Sequence, residues 1–261
     1  MADAGNMRAK EIVGLISGAG PAELEALEER YGGDARKQVQ AALVRARKRV
    51  DRASAEERRV RGMYEFQREI GGTGLVLGVD EVGRGAVAGP LTVAAVALPD
   101  EPVVWGINDS KQLTPARREA LAQRIEDVAL AIGIAHVPPE QVDGLGMAAA
   151  LRLAMRQAIA DAQVDPDCVL IDGNPVHVHE RERCVVKGDA LVASIAAASI
   201  VAKVTRDALM TEIDGVYPAY HFGANKGYAS ADHVAAIRAL GLCEVHRVSF
   251  CGNLVETPRL F

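Results

Sequence analysis

No apolar stretch in this sequence is both long and uncharged enough to span a bilayer, and no signal peptide opens it. The expectation is a cytoplasmic protein with no membrane partner. Cysteine is sparse: Cys168, Cys184, Cys243 and Cys251 are scattered and form no Cys-x-x-Cys pair. Such thiols fit reduced packing residues better than a disulfide frame. The chain also lacks a basic surplus, with a net charge of −5, which argues against an unspecialised nucleic-acid-coating protein. It does not exclude a nuclease, whose metal-binding centre must be acidic. Internal repeats and low-complexity segments are absent as well.

What is present divides into two parts. Residues 1–72 read as helical, with no strand pattern. Pro21 opens a helix with Glu23 and Glu25 in its first turn, and Gly32-Gly33 closes it. Val39, Leu43, Ala46 and Val50 then recur at helical spacing, and Ser54 with Glu57 has the form of a capping box for a third helix. Between Arg36 and Arg52 there are seven Lys or Arg and one acid, Asp51. From residue 73 the pattern mixes strands and helices, which predicts an α/β domain over 73–261. Strands are expected over 75–79, 91–98, 129–137, 168–171 and 184–186. Helices are expected over 114–127, 141–163, 190–210 and 230–240.

The first of those strands ends in Asp80-Glu81, followed by Gly83-Arg84-Gly85 and a second apolar run. Paired carboxylates in apolar surroundings call for a cation or a bond network. Glycines around an arginine let backbone amides approach a phosphate or sugar. Strand geometry sends successive side chains to opposite faces, so Asp80 and Glu81 can share a site only where the strand bends or ends. Asp172 and Asp189 likewise stand at the ends of apolar runs. Asp172 also suits an Asp-Gly turn and Asp189 a helix N-cap. His177-x-His179-Glu180 reads as a surface loop.

The Gly78–Gly85 segment resembles the first motif of ribonuclease HII. Further matches follow in order: Asn108-Asp109-Ser110-Lys111, Ile171-Asp172-Gly173, Val186-Lys187-Gly188-Asp189, the run from Ala196 to Asp207, Lys226-Gly227-Tyr228, and His246-Arg247 with Ser249-Phe250. The resemblance implies an RNase H-like mixed five-stranded sheet flanked by helices, with a helical C-terminal part and a small all-helical N-terminal segment. It implies that Asp80, Glu81, Asp172 and Asp189 hold two divalent ions, Mn²⁺ or Mg²⁺. Asp189 is preferred over Asp207, which is expected to pair with Arg206 or Lys203. Gly83, Arg84 and Gly85 are implied to contact the 2′-hydroxyl of the substrate, Ser110 and Lys111 to lie near its backbone, and Tyr228 to stack on the neighbouring deoxyribose. His246-Arg247 is expected to be structural or close to a phosphate.

The implied activity is hydrolysis 5′ of a ribonucleotide in RNA/DNA hybrid or in duplex DNA with embedded ribonucleotides, leaving a 3′-hydroxyl and a 5′-phosphate. Removal of ribonucleotides from DNA would be its role. The alternatives are a ribonuclease HIII-like nuclease specific for hybrids and a catalytically silent hybrid-binding protein. The basic helix of residues 1–72 is a candidate duplex contact. The tail Thr257-Pro258-Arg259-Leu260-Phe261 is similar to hydrophobic peptides that bind a replication clamp, and a monomer is expected.

Overall fold

The computed structural model describes residues 7–254. By its internal contacts the chain divides into two compact units, one ending at Arg59 and the other starting at Val60. The first is built from α1 (Ala9–Gly18), α2 (Pro21–Tyr31) and most of α3 (Lys37–Gly71). Pro21 starts α2 where its missing N–H costs nothing, and the Glu23 carboxylate accepts from the Gly20 N–H at 3.0 Å. The stripe Val39, Leu43, Ala46 and Val50 is buried against Ile12, Ile16 and Leu24. Arg49 donates to Ser17 O and Ala19 O, both at 2.6 Å, satisfying carbonyls at the end of α1.

The third helix expected at Ser54 does not start there, because α3 runs unbroken through it. Ala53, Ala55, Glu56 and Glu57 are good helix formers, and no Gly or Pro interrupts residues 37–61, so the capping signature is overridden.

The second unit holds β1 (Val76–Val82), β2 (Leu91–Ala97), α4 (Pro115–Val128), β3 (Ala131–Val137), α5 (Pro139–Leu145), α6 (Met147–Asp161), β4 (Cys168–Asp172), β5 (Glu182–Val185), α7 (Gly188–Leu191), α8 (Ala193–Val216), α9 (Phe222–Asn225) and α10 (Ala231–Leu240). The five strands form one mixed sheet in the order β3-β2-β1-β4-β5. β1 is antiparallel to β2 and parallel to β4, and β4 is parallel to β5. One face packs on α8, with Val60, Met63 and Tyr64 joining Ala94, Val96, Ala197 and Ile200. The other packs on α6, with Leu77, Val79, Val93 and Val169 meeting Ala154, Met155 and Ala158. A Cβ on Gly78 would come within 2.3 Å of the Ser194 backbone, so glycine is what lets α8 lie directly on β1.

Several boundaries depart from the sequence pattern, three of them most clearly. The helix expected over 141–163 is broken at Gly146, whose φ of +74° ends α5 before α6 begins. The helix expected from residue 190 is divided by extended Val192, after which α8 continues to Val216. β5 lies two residues earlier than expected and is not buried, because it is an edge strand with one neighbour. After α8, the C-terminal helices gather around Met210, Tyr220, Phe222, Ile237 and Cys251. Among the described residues no helix is long and apolar enough to cross a membrane.

Candidate active site

β1 and β4 are parallel neighbours at the centre of the sheet, so both strands deliver the acids near their C-termini to the same end of it. Asp80 is 5% exposed. It lies on the α8 face beside the Ser199 side chain, which favours its charged form. Its own Oδ1 accepts the Glu81 N–H at 2.7 Å. Glu81 points the other way, into a hollow of about 300 Å³ shared with Asp172, Arg84 and Met155 of α6. The strand does not end before the acids as expected but stays paired with β2 through both of them to Val82, so alternation is kept and Asp80 and Glu81 lie on opposite faces near its C-terminal end. Asp172 sits beside both, and its Oδ1 accepts the Gly188 N–H at 2.7 Å, tying the end of β4 to α7.

Asp189 lies in the first turn of α7, after Lys187 at the N-cap position, so the N-cap role open to it in sequence is not its role in the fold. The exposed Lys111 ammonium stands 3.8 Å from both Asp189 Oδ2 and Asp109 Oδ1.

Charge is crowded here without full compensation. Burial first, then the Glu81 and Asp172 carboxylates, push the Asp80 carboxyl well above the ordinary aspartate range. Glu81 is raised by burial and by Asp172, against the pull of Arg84. Burial, Asp172 and Asp109 also raise Asp189, opposed by Lys111. Burial on its own would lower Lys111, but Asp109, Asp189, Asp80 and Asp172 raise it overall.

As placed, no three His, Cys, Asp or Glu among the described residues are close enough to hold one ion between them. That applies equally to His177, His179 and Glu180. The chemistry of the Asp80 cluster nonetheless fits a hard divalent cation: every donor is a carboxylate oxygen, and the mutual repulsion is what a cation would relieve.

A second hollow, about 420 Å³, is lined by Glu81, Gly83, Arg84, Gly85, Ser110, Lys111 and Tyr228, together with Ser199 and Lys203. It brings every non-acidic candidate to one place. Gly83 has φ +91°, and a Cβ there would strike Arg206 Nε at 2.3 Å. The turn thus needs glycine for two reasons. Ser110 is 1% exposed, and its hydroxyl pairs with that of Ser199 at 3.0 Å. It is bonded to Ser199 in the wall of the hollow rather than standing free at its mouth. Asp207 is held away from the cluster by Lys203 Nζ at 2.6 Å.

Sequence reasoning gave Lys203 and Arg206 only as alternative partners of Asp207, of which the structure shows Lys203, and it placed none of Ser199, Lys203 or Arg206 beside the site. All three belong to the Ala196–Asp207 run, and Ser199, Lys203 and Arg206 recur at helical spacing on α8, the one signal that could have singled them out. Arg206 and Arg247 are fully buried. Arg206 donates to Pro90 O at 2.9 Å, Lys226 O at 2.7 Å and Ala88 O at 3.0 Å. Arg247 donates to Gly83 O at 2.7 Å and, through two nitrogens, to Gly89 O at 3.0 and 2.8 Å. The two guanidiniums fasten the Gly83–Gly85 turn and the Tyr228 loop to the same interior.

The family model for Ribonuclease HII matches residues 77–253, and that for the Ribonuclease HII N-terminal domain matches residues 9–71. A Ribonuclease HII of Listeria monocytogenes is 42% identical over 219 residues, 83% of this chain and 84% of that protein. One from Lachnoclostridium phytofermentans is 40% identical over 252 residues, 96% of this chain and 99% of that protein. Among solved structures, the ribonuclease H2 of Pyrococcus horikoshii matches with TM-score 0.59 and 25% identity, covering 69% of this chain and 96% of its own. The RNase HII of a PCNA complex from Archaeoglobus fulgidus matches with TM-score 0.60 and 26% identity, covering 70% and 98%. The fold is α/β and RNase H-like, the helical first unit has its own counterpart in the family, and the chain belongs to the ribonuclease HII family as a type 2 ribonuclease H.

Proposed function

We propose that this enzyme hydrolyses the phosphodiester on the 5′ side of a ribonucleotide within RNA/DNA hybrid or duplex DNA, leaving a 3′-hydroxyl and a 5′-phosphate. The observation that carries this reading is one hollow joining Glu81, the Gly83-Arg84-Gly85 turn, Lys111 and Tyr228, beside the end of the sheet that holds Asp80 and Asp172. Asp80, Glu81, Asp172 and Asp189 are the residues to hold two divalent cations, Mg²⁺ or Mn²⁺. When bound, these supply an activated water, neutralise phosphoryl charge and stabilise the leaving 3′-oxygen.

The chain's own groups do the rest. The Glu81 N–H holds the Asp80 carboxylate in one orientation, and Gly188 N–H does the same for Asp172. The Gly83–Gly85 backbone offers polar groups to the 2′-hydroxyl, the only chemical handle that distinguishes a ribonucleotide. Arg84 and Lys111, both with exposed side chains, are placed to meet phosphates. Tyr228, 39% exposed at the rim, presents its ring to the deoxyribose on the far side of the junction.

The helical first unit serves as a duplex contact in this reading. Lys37, Arg45, Lys48 and Arg52 are exposed on α3, whereas Arg47 pairs with Glu28 and Arg49 is bound to α1. Phosphate contacts of this kind give sequence-independent, salt-sensitive affinity. A replication clamp is a candidate partner, in line with the PCNA complex of the Archaeoglobus fulgidus relative. The segment proposed for it, Thr257–Phe261, lies outside the described residues. The enzyme is taken to be a cytoplasmic monomer that removes ribonucleotides from DNA.

The test is cleavage of a labelled DNA duplex carrying one ribonucleotide, with the cut mapped to the nucleotide. A metal-dependent cut immediately 5′ of the ribonucleotide is expected. Cleavage only within runs of four or more ribonucleotides would point to a hybrid-specific nuclease. Binding without cleavage would point to a silent binding protein.

A further inference from the structure

Behind Tyr228 lies a buried chain of hydrogen bonds that the cleavage chemistry does not use. His233, in the first turn of α10, is fully buried, and its Nδ1 is 2.8 Å from Tyr228 O. A carbonyl only accepts, so Nδ1 carries the proton, and in the neutral ring Nε2 is an acceptor. His246 Nε2 stands 3.1 Å from His233 Nε2 and must therefore donate to it. His246 Nδ1 is then an acceptor, and it takes the Cys243 N–H at 3.0 Å and the Cys243 thiol at 3.1 Å. The Cys243 carbonyl, 3.2 Å from the same nitrogen, accepts the His246 backbone N–H at 3.0 Å. The rings are boxed by Tyr220, 4.9 Å from His246, and Phe222, 5.2 Å from His233.

The array is continuous with the clamp on the other loop. His246 forms an isolated bridge with Ala88, and Arg247, the next residue, donates its N–H to Val87 O at 2.8 Å. The Arg247 side chain grips Gly83 O, 2.7 Å away, and Gly89 O. Two neighbouring side chains thus reach in two directions, one towards the turn at Gly83 and one, through His233, towards Tyr228. The two loops also touch directly, since Val87 and Ala88 donate to Gly227 O at 2.9 and 3.1 Å. Beyond Arg247 the same segment is anchored by Asp143 of α5, which accepts the Val248 N–H at 2.6 Å and the Ser249 N–H at 3.1 Å.

We propose that His233 and His246 are positioning residues which fix the Tyr228 loop at a set distance from the Gly83-Arg84-Gly85 turn, and so set the preference for a ribonucleotide–deoxyribonucleotide junction. The inference rests on the reading of Tyr228 given above. A turn that reads the 2′-hydroxyl and a ring that reads the next sugar discriminate a junction only if their separation is held constant. The backbone bonds at Gly227 hold the base of the loop, whereas His233 holds the residue that carries the ring.

The experiment compares kcat/KM on a duplex with one ribonucleotide against kcat/KM on a uniform RNA/DNA hybrid, for wild type, His233→Leu, His233→Asn, Tyr228→Ala and the double variant of His233→Leu with Tyr228→Ala. His233→Leu is expected to lower the junction-to-hybrid ratio roughly tenfold, the effect of one buried hydrogen bond. His233→Asn, which keeps a donor near the Nδ1 position, should recover most of the ratio. In the Tyr228→Ala background His233→Leu should change the ratio no further. Equal loss on both substrates, or an additional loss in the double variant, would overturn the inference alone. An unchanged ratio in Tyr228→Ala would overturn the reading of Tyr228, and the inference with it. If His233→Leu does not fold, His233→Asn against His233→Gln carries the comparison, because Gln moves the donor away from Tyr228 O. Equal ratios in those two would count against the proposal.

Discussion

Two charged clusters meet near the Gly83 turn and solve opposite problems in opposite ways. At the ends of β1 and β4, Asp80, Glu81 and Asp172 crowd together with Arg84 and Lys111 only at the margin, and the buried carboxyls are raised by burial and by one another. Behind the turn, Arg206 and Arg247 are buried with no carboxylate bonded to either guanidinium, yet their donors are met by the carbonyls of Gly83, Ala88, Gly89, Pro90 and Lys226. Burial lowers Arg247 to about 10, which still leaves it charged at neutral pH. The arginine cluster is satisfied internally and belongs to the scaffold. The acidic cluster keeps charge that no neighbouring cation fully offsets, which fits the divalent cations proposed for it. Removing a charge from the two clusters should affect stability with opposite signs.

The largest effect is expected at Asp80. Asp80→Asn should abolish cleavage, and it should also raise thermal stability by about 1 kcal/mol, because a buried, repelled carboxylate is removed. Full activity in a metal-supplemented assay would remove Asp80 from the site. Next comes Arg247→Met, which strands the carbonyls of Gly83 and Gly89 and should cost about 3 kcal/mol or more in a denaturant melt. Arg247→Lys should recover little of this, because an ammonium cannot span both carbonyls as the planar fork does. If Arg247→Met instead stabilises the protein, the contrast between the clusters is wrong.

A smaller effect concerns the first unit. Replacing Arg45, Lys48 and Arg52 together with Gln should weaken duplex affinity at low salt and flatten its salt dependence by up to about three units of slope, with the cut position unchanged. An unchanged slope would return that face of α3 to plain solvation.

The smallest is a pH effect on the histidine array. Burial lowers His246 to about 4 and also lowers His233. A folded-state pKa below the unfolded value means that the neutral rings contribute stability at pH above about 6.5, and that this contribution is lost as pH falls towards 4. The melting temperature should therefore drop across that window, and less steeply in His246→Leu. Equal slopes would show that other groups govern the acid limb.

The acidic cluster was legible in the sequence because each member ends an apolar run, and a strand carrying its acid to one end of the sheet leaves that signature. Strand alternation also warned that Asp80 and Glu81 face opposite ways, which they do. The arginine cluster was not legible. Nothing local tells a buried arginine from a solvated one, since most of its partners are carbonyls more than a hundred residues away in sequence, such as Gly83 for Arg247. The same limit explains the helix boundaries. Gly146 in an Ala-rich run reads as a tolerated glycine until its φ of +74° is known. Ser54 reads as a cap until the helix on either side of it proves continuous. Local signals locate chemistry at chain ends and turns, whereas tertiary hydrogen bonds decide which polar residues become framework.

A divalent cation that completes the acidic end of the sheet must stabilise the folded chain, and thermal unfolding of the whole chain during a Mn²⁺ titration, in wild type and in Asp80→Asn, reads that out. A saturable rise in melting temperature is expected for the wild type, as ligand binding to the native state requires. Asp80→Asn should start higher and respond much less. No Mn²⁺-dependent rise in the wild type, or the same rise in both proteins, would contradict cation binding at Asp80.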